Sequence, residues 1–129
     1  MESRYTRNIP ALTEEECALL LSKRVAVIGC GGLGGHLIDQ LARIGVGFIR
    51  AVDGDVFEDS NLNRQLLSEV PLLGTGKAKA AADRILRVNP GIETDAVEAF
   101  LTRDNAAKII AGCDAVLDGL DNIESRKIL

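Results

Sequence analysis

"VAVIGCGGLGGHLIDQL", Val25–Leu41, runs from consecutive apolar residues through a cluster of glycines into residues spaced for a helix. RVAVIG, residues 24–29, is β-branched and apolar at successive positions, as in a strand buried on both faces. Past the glycines, Leu37, Ile38, Leu41 and Ile44 fall on one helical face, which predicts a helix over 35–44 ended by Gly45 and Gly47. Between the two, Gly29-Cys30-Gly31-Gly32-Leu33-Gly34 matches G-x-G-x-x-G. The first glycine of such a turn allows a tight bend, the second lets backbone approach a ligand, and the third lets helix and strand pack closely. The free N–H groups and the helix dipole then favour an anion.

The rest of the chain extends this pattern on both sides. Thr13 followed by Glu16 is a capping-box signature that predicts a helix over 14–22. FIRAVD (48–53) predicts a second strand, and residues 54–73 form an irregular stretch long enough to be a binding loop. GKAKAAADRILRVN (76–89) is a helix closed by Pro90-Gly91. IETDAVEAF (92–100) predicts a strand, TRDNAAKIIAGC (102–113) a short helix capped by Thr102 or Asp104, and DAVLDGLD (114–121) another buried strand. NIESRKIL begins one more helix. Strands alternating with helices predict one α/β domain over 1–129, with residues 1–23 as an N-terminal helical arm. It is Rossmann-like, a doubly wound and mostly parallel sheet. Right-handed crossovers order its strands 3-2-1-4. The first and last strands then lie side by side, so the glycine turn and Asp121 face one crevice.

Composition weighs against several classes. The 129 residues carry a net charge of −4 with no Lys/Arg block, which disfavours nucleic acid as the main partner. The apolar runs fall well short of the ~20 residues of a membrane span. MESRYTRNIP lacks the apolar centre of a signal peptide, so a cytoplasmic location is expected. Cys17, Cys30 and Cys113 are odd in number and widely spaced, which argues against disulfides. Cys30 reads as a small residue in a crowded turn rather than a nucleophile, and His36 as a packing or surface residue.

Which phosphate compound the turn holds is a separate question. Asp53 ends the second strand, where it can accept from a ribose, and the turn plus Asp53 satisfies NAD. A nucleotide whose phosphates react also needs cations and a metal ligand, because charge must be balanced as the leaving group departs. Asn61 and Arg64 are three apart and share a face if their segment is helical. Arg64 suits a bidentate phosphate contact, Lys77 a point charge, and Asp121 is a hard carboxylate suited to Mg²⁺.

At these residues the chain resembles the ubiquitin-activating-enzyme-like adenylyltransferases, the ThiF/MoeB/HesA family. The matching pieces are RYTRNI (4–9), GCGGLGG (29–35), DGD (53–55), SNLNRQ (60–65), GKAKA (76–80), DGLDN (118–122) and SR (125–126). Their order and spacing span essentially the whole chain. The resemblance implies binding of ATP with Mg²⁺ and adenylation of the C-terminal glycine carboxylate of a ubiquitin-like or sulfur-carrier protein, as in thiamine or molybdopterin biosynthesis. It implies Asp53 on the ribose, Asn61, Arg64 and Lys77 on the phosphates and Asp121 on Mg²⁺. Gly29, Gly31, Gly32, Leu33 and Gly34 would line the nucleotide. Asp55 matches without a clear role. Arg7 resembles an arginine that reaches the phosphates of a partner subunit, which implies a homodimer. Family members continue for about as many residues again, so a fragment or truncated chain with little turnover of its own is expected. The same chemistry on a small-molecule, peptide or tRNA-linked carboxylate stays open, as does an NAD-dependent oxidoreductase.

Overall fold

The computed structural model describes residues 1–129. A 3-10 helix over Ser3–Asn8 precedes α1 (Glu14–Leu21), followed by β1 (Arg24–Ile28), α2 (Gly32–Ile44) and β2 (Phe48–Val52). Two short 3-10 turns, Asp59–Asn61 and Val70–Leu72, interrupt the long loop before α3 (Lys77–Val88). Then come β3 (Glu93–Val97), α4 (Ala106–Ile110), β4 (Ala115–Asp118) and α5 (Ile123–Arg126).

The four strands form one sheet in the order β3-β2-β1-β4, parallel throughout. This is the expected Rossmann-like arrangement. β1 is central, with Ile28 level with Val52 on one side and Asp118 on the other. Its residues Val25–Ile28 are all buried, as a strand covered on both faces must be. Alternate side chains feed two cores. Val25, Val27, Ile49 and Ala51 pack with Ile38 and Ala42 of α2 and Ala81 and Ile85 of α3. Ala26, Ile28 and Val52 pack on the other face with Leu101 and Ile109.

The predicted capping box is present: Thr13 Oγ1 accepts from Glu16 N (3.1 Å), and Glu16 Oε2 accepts from Thr13 N (2.8 Å). Other boundaries shift. α2 begins at Gly32, not at 35, so the glycine turn is itself the helix start. α4 covers only Ala106–Ile110; Thr102 and Asn105 exchange hydrogen bonds in the turn that leads into it, Ala106 N donates to Thr102 O (3.0 Å), and Gly112 at φ +76° follows it. β3 stops at Val97 and β4 at Asp118, short of the predicted 100 and 121.

The N-terminal arm docks at the amino ends of the strands. Tyr5 is buried against Gly45, the left-handed cap of α2 at φ +99°. Asn89, at the end of α3, donates to Tyr5 Oη (2.7 Å) and Ala42 O (3.0 Å) and accepts from Arg4 (2.8 Å). A buried amide with this many partners fixes the arm.

Candidate functional site

A cavity of about 370 Å³ opens at the carboxyl ends of β1, β2 and β4, where the strand order reverses. Gly29, Gly31, Gly32 and Leu33 form one wall, Asp53 and Asp55 another, and Arg64, Lys77 and Asp121 reach it from the β2–α3 loop, the start of α3 and the β4–α5 loop. Nine of the residues expected at a nucleotide site therefore meet in one space.

The glycines divide into two roles. A side chain on Gly34 would overlap the carbonyl of Gly29, so this glycine lets α2 approach β1. It does not line the cavity. Nothing lies within 4 Å of a Cβ placed on Gly32, so its bareness leaves open space at the head of α2. Gly29 adopts φ +95°, which lets the chain turn sharply out of β1. The first amides of α2 lack intrahelical acceptors and, with the helix dipole, make this wall positive.

Asp53 joins two loops. Its Oδ2 accepts from Cys30 N and its Oδ1 from Asp55 N, each at 2.9 Å. Asp55 in turn sets Lys77. The carbonyl of Asp55 accepts from Lys77 N (2.9 Å), beside an antiparallel bridge between Val56 and Gly76. Lys77 is buried, and Nζ has a distant carboxylate, Asp55 Oδ2 at 3.9 Å, and the ring of Phe57 at 5.7 Å. A buried ammonium with so loose a counter-ion is a ready anion site. Arg64 is exposed, its Nη1 held by Ser60 O (3.1 Å) and Asn63 Oδ1 (3.0 Å). Asp121 is exposed to the cavity, and no group of three acidic, cysteine or histidine side chains gathers anywhere in the chain. The donors thus fit a cation carried by a ligand's own oxygens and water, as Mg²⁺ on phosphates is, rather than a protein-caged one.

Besides Gly34, two expected residues lie outside the cavity lining. Asn61 is buried outside the cavity lining; its Oδ1 accepts from Glu58 N (2.8 Å) and organises the loop. Its segment is a single 3-10 turn, so the shared helical face with Arg64 does not form. Arg7 is exposed in the N-terminal arm, at the end of α2 away from the cavity. The 13 residues of α2 separate the two ends by roughly 20 Å.

Three further cavity residues were given no role by the sequence, although Gln65 and Arg126 fall in the matching pieces SNLNRQ and SR. Gln65 is buried, and its Oε1 is the one fully buried side-chain oxygen or nitrogen without a partner. Its amide lies beside Gly31. Phe100 lays its ring across Gly54, where a Cβ would meet it at 2.5 Å, and gives one wall an aromatic surface. Its only cue was an aromatic at the exit of a strand. Arg126 lines the cavity from α5. Cys30 is inert: burial foremost, and the Asp53 carboxylate next, push its thiol far above the ordinary range.

A model described as the ThiF family matches residues 5–129. The chain belongs to the ThiF family. This ThiF-family chain is 41% identical over 128 residues to the SAMP-activating enzyme E1 of Haloferax volcanii, covering 98% of itself and 47% of that protein. It is 39% identical over 128 residues to the adenylyltransferase and sulfurtransferase MOCS3 of Mus musculus, covering 98% of itself and 28% of that protein. Among solved structures it superposes with a TM-score of 0.94 on the E. coli tRNA N6-threonylcarbamoyladenosine dehydratase TcdA in complex with ATP, at 31% identity, over 98% of itself and 52% of TcdA. The chain thus spans about half the length of TcdA and of the Haloferax relative, and less of MOCS3. No helix is long and apolar enough to cross a membrane.

Proposed function

We propose that the cavity binds ATP with Mg²⁺ and that the chain forms the nucleotide-binding part of an enzyme that adenylates a carboxylate. The acceptor is the C-terminal glycine of a ubiquitin-like or sulfur-carrier protein. The observation that carries this reading is the convergence of Arg64, buried Lys77 and Asp121 on the head of α2. A nicotinamide cofactor needs only the turn and Asp53 and leaves those three side chains without work. Names among the relatives support the acceptor: one activates SAMP and another is an adenylyltransferase and sulfurtransferase.

In the proposed reaction a carboxylate oxygen attacks the α-phosphorus in line. The new P–O bond forms as the bond to the β-phosphate oxygen breaks, and pyrophosphate leaves with the electron pair. The amides at the head of α2, Arg64 and Lys77 hold the phosphates and neutralise charge that grows on the leaving group. Asp53, immobilised by two backbone amides, accepts from ribose hydroxyls with its remaining lone pairs. Phe100 and Leu120 offer the base an apolar wall. Asp121 would hold Mg²⁺, which supplies charge neutralisation on the phosphates. Arg7 cannot reach its own cavity along the length of α2, so it serves this chemistry only in a second copy; the reading includes a homodimer.

A second reading changes only the acceptor. The ATP-bound TcdA match bears a name that points to a tRNA-linked substrate, and its identity to this chain is lower than that of the SAMP enzyme. Exchange of labelled pyrophosphate into ATP by the complete enzyme separates the readings. The expected result is exchange that depends on a carrier protein with a free C-terminal glycine. Exchange supported only by a tRNA-linked, peptide or small-molecule carboxylate moves the acceptor, and none with any carboxylate contradicts the adenylation reading.

A further inference from the structure

The Gly119–Asn122 loop carries Asp121 into the cavity and is held by an uncommon set of contacts. Gly119 donates to Ile28 O (2.8 Å), and a Cβ there would meet Gly29 O at 2.6 Å and Gly34 Cα at 2.8 Å, so the loop starts pressed against the glycine turn. Leu120 follows, and both of its main-chain polar groups are taken. Its N–H donates to Asp118 Oδ1 (2.9 Å). Its carbonyl accepts from Arg126 Nε (3.1 Å) and Nη2 (2.7 Å). Arg126 Nε also lies 3.3 Å from Asp118 Oδ2, which closes a ring of three residues. Asn122 caps the helix that delivers Arg126, its Oδ1 accepting from Ser125 N (2.8 Å).

We propose that Arg126 and Asp118 form a clamp on Leu120 that positions Asp121 for the magnesium of a bound nucleotide. The proposal rests on the MgATP reading above. Its physical basis is the thinness of the metal site. No group of three acidic, cysteine or histidine side chains gathers around Asp121, so the protein's hold on the cation rests on few carboxylates and the placement of Asp121 has to be fixed by its neighbours. Both members of the Asp118–Arg126 pair are about half exposed, so the pair adds little to global stability. What it does accomplish is to immobilise the peptide immediately before Asp121. The planar guanidinium presents two N–H groups to one carbonyl while keeping a carboxylate beside it, which an ammonium cannot do. Arg126 is therefore a positioning residue, one that acts on the cation through the backbone.

The test uses this chain with Arg126→Gln, Arg126→Lys and Asp118→Asn, in two arms. Calorimetry measures ATP binding with Mg²⁺ and with EDTA. Amide hydrogen exchange follows residues 119–122 with no nucleotide present. Arg126→Gln is expected to remove most of the Mg²⁺-dependent gain in ATP affinity, roughly tenfold or more, so that the loss with Mg²⁺ clearly exceeds any loss with EDTA. Exchange over 119–122 should rise in Arg126→Gln and Asp118→Asn while the melting temperature stays near wild type. Arg126→Lys keeps the charge but loses the double donation, and should behave closer to Gln than to wild type. Equal losses with and without Mg²⁺ would mean that Arg126 contacts the nucleotide itself, and would overturn the clamp. So would unchanged exchange over 119–122. A wild-type chain that binds no ATP contradicts the nucleotide reading instead, and the exchange arm still reads the clamp.

Discussion

Lys77 Nζ stands 3.9 Å from Asp55 Oδ2 although the lysine side chain is only 8% exposed. A buried charge so loosely matched is costly to the free protein and is relieved by an anion. Lys77→Met should leave the melting temperature of the nucleotide-free chain equal or higher, since it replaces a charge with an apolar chain of similar length. In the complete enzyme it should cost on the order of 2–4 kcal/mol of transition-state stabilisation. A drop in melting temperature with unchanged ATP affinity would make Lys77 a structural residue.

Arg64 differs because it is exposed and tethered only to its own loop, at Ser60 and Asn63. Arg64→Ala should change the melting temperature very little. Adenylation should lose on the order of 2–4 kcal/mol. Pyrophosphate exchange at the wild-type rate would return Arg64 to the role of a surface charge.

Two glycines two residues apart should respond in opposite ways. Gly32→Ala places a methyl in open space at the head of α2, so folding should be near normal while ATP affinity falls. Gly34→Ala drives a methyl into the Gly29 carbonyl and should cost about 1–3 kcal/mol of stability, or more. Thermal melts and ATP titrations of both variants check this. Reversed outcomes would refute the division of the turn into a ligand side and a packing side.

Asp39 ties α2 to α3: Oδ2 accepts from Arg43 Nε at 2.9 Å and Oδ1 from Arg84 Nε at 3.2 Å. Burial alone would raise its pKa. The hydrogen bonds and charges of Arg43 and Arg84 outweigh burial and hold it below the ordinary value. A carboxylate lowered on folding stabilises the folded state above the unfolded pKa of about 4, and that stability is lost as pH falls through the lowered value. Asp39→Asn should therefore destabilise by about 1–3 kcal/mol near neutral pH, discounted for the part-exposed arginines. The difference from wild type should shrink in melts below pH 4. A gap that stays constant with pH would contradict the ion pairing.

The sheet order was legible because a G-x-G-x-x-G turn at the exit of the first strand marks a Rossmann-like winding, whose order 3-2-1-4 put the glycine turn and Asp121 at one crevice. The start of α2 was not legible. Glycine is a poor helix former, and the cap at Gly31 has no side chain to announce it. Asn61 read as a partner of Arg64 because three-residue spacing assumes a helix; a lone 3-10 turn sends it inward to Glu58 instead. Phe100 reaches the cavity through the path of its loop, which no local pattern encodes, and Gln65 lay in SNLNRQ without a role. The clamp was unreadable for a similar reason. Arg126 meets Leu120 across a helix start whose geometry depends on Asn122, and only the resemblance had marked Ser125-Arg126 at all.

The most direct measurement is a calorimetric titration of this chain with ATP in the presence and absence of Mg²⁺, and with NAD under the same conditions. The account predicts that ATP binds, that Mg²⁺ tightens it, that Asp121→Ala removes the tightening, and that NAD competes poorly. Binding of NAD in preference to ATP, with no response to Mg²⁺ or to the loss of Asp121, would contradict it.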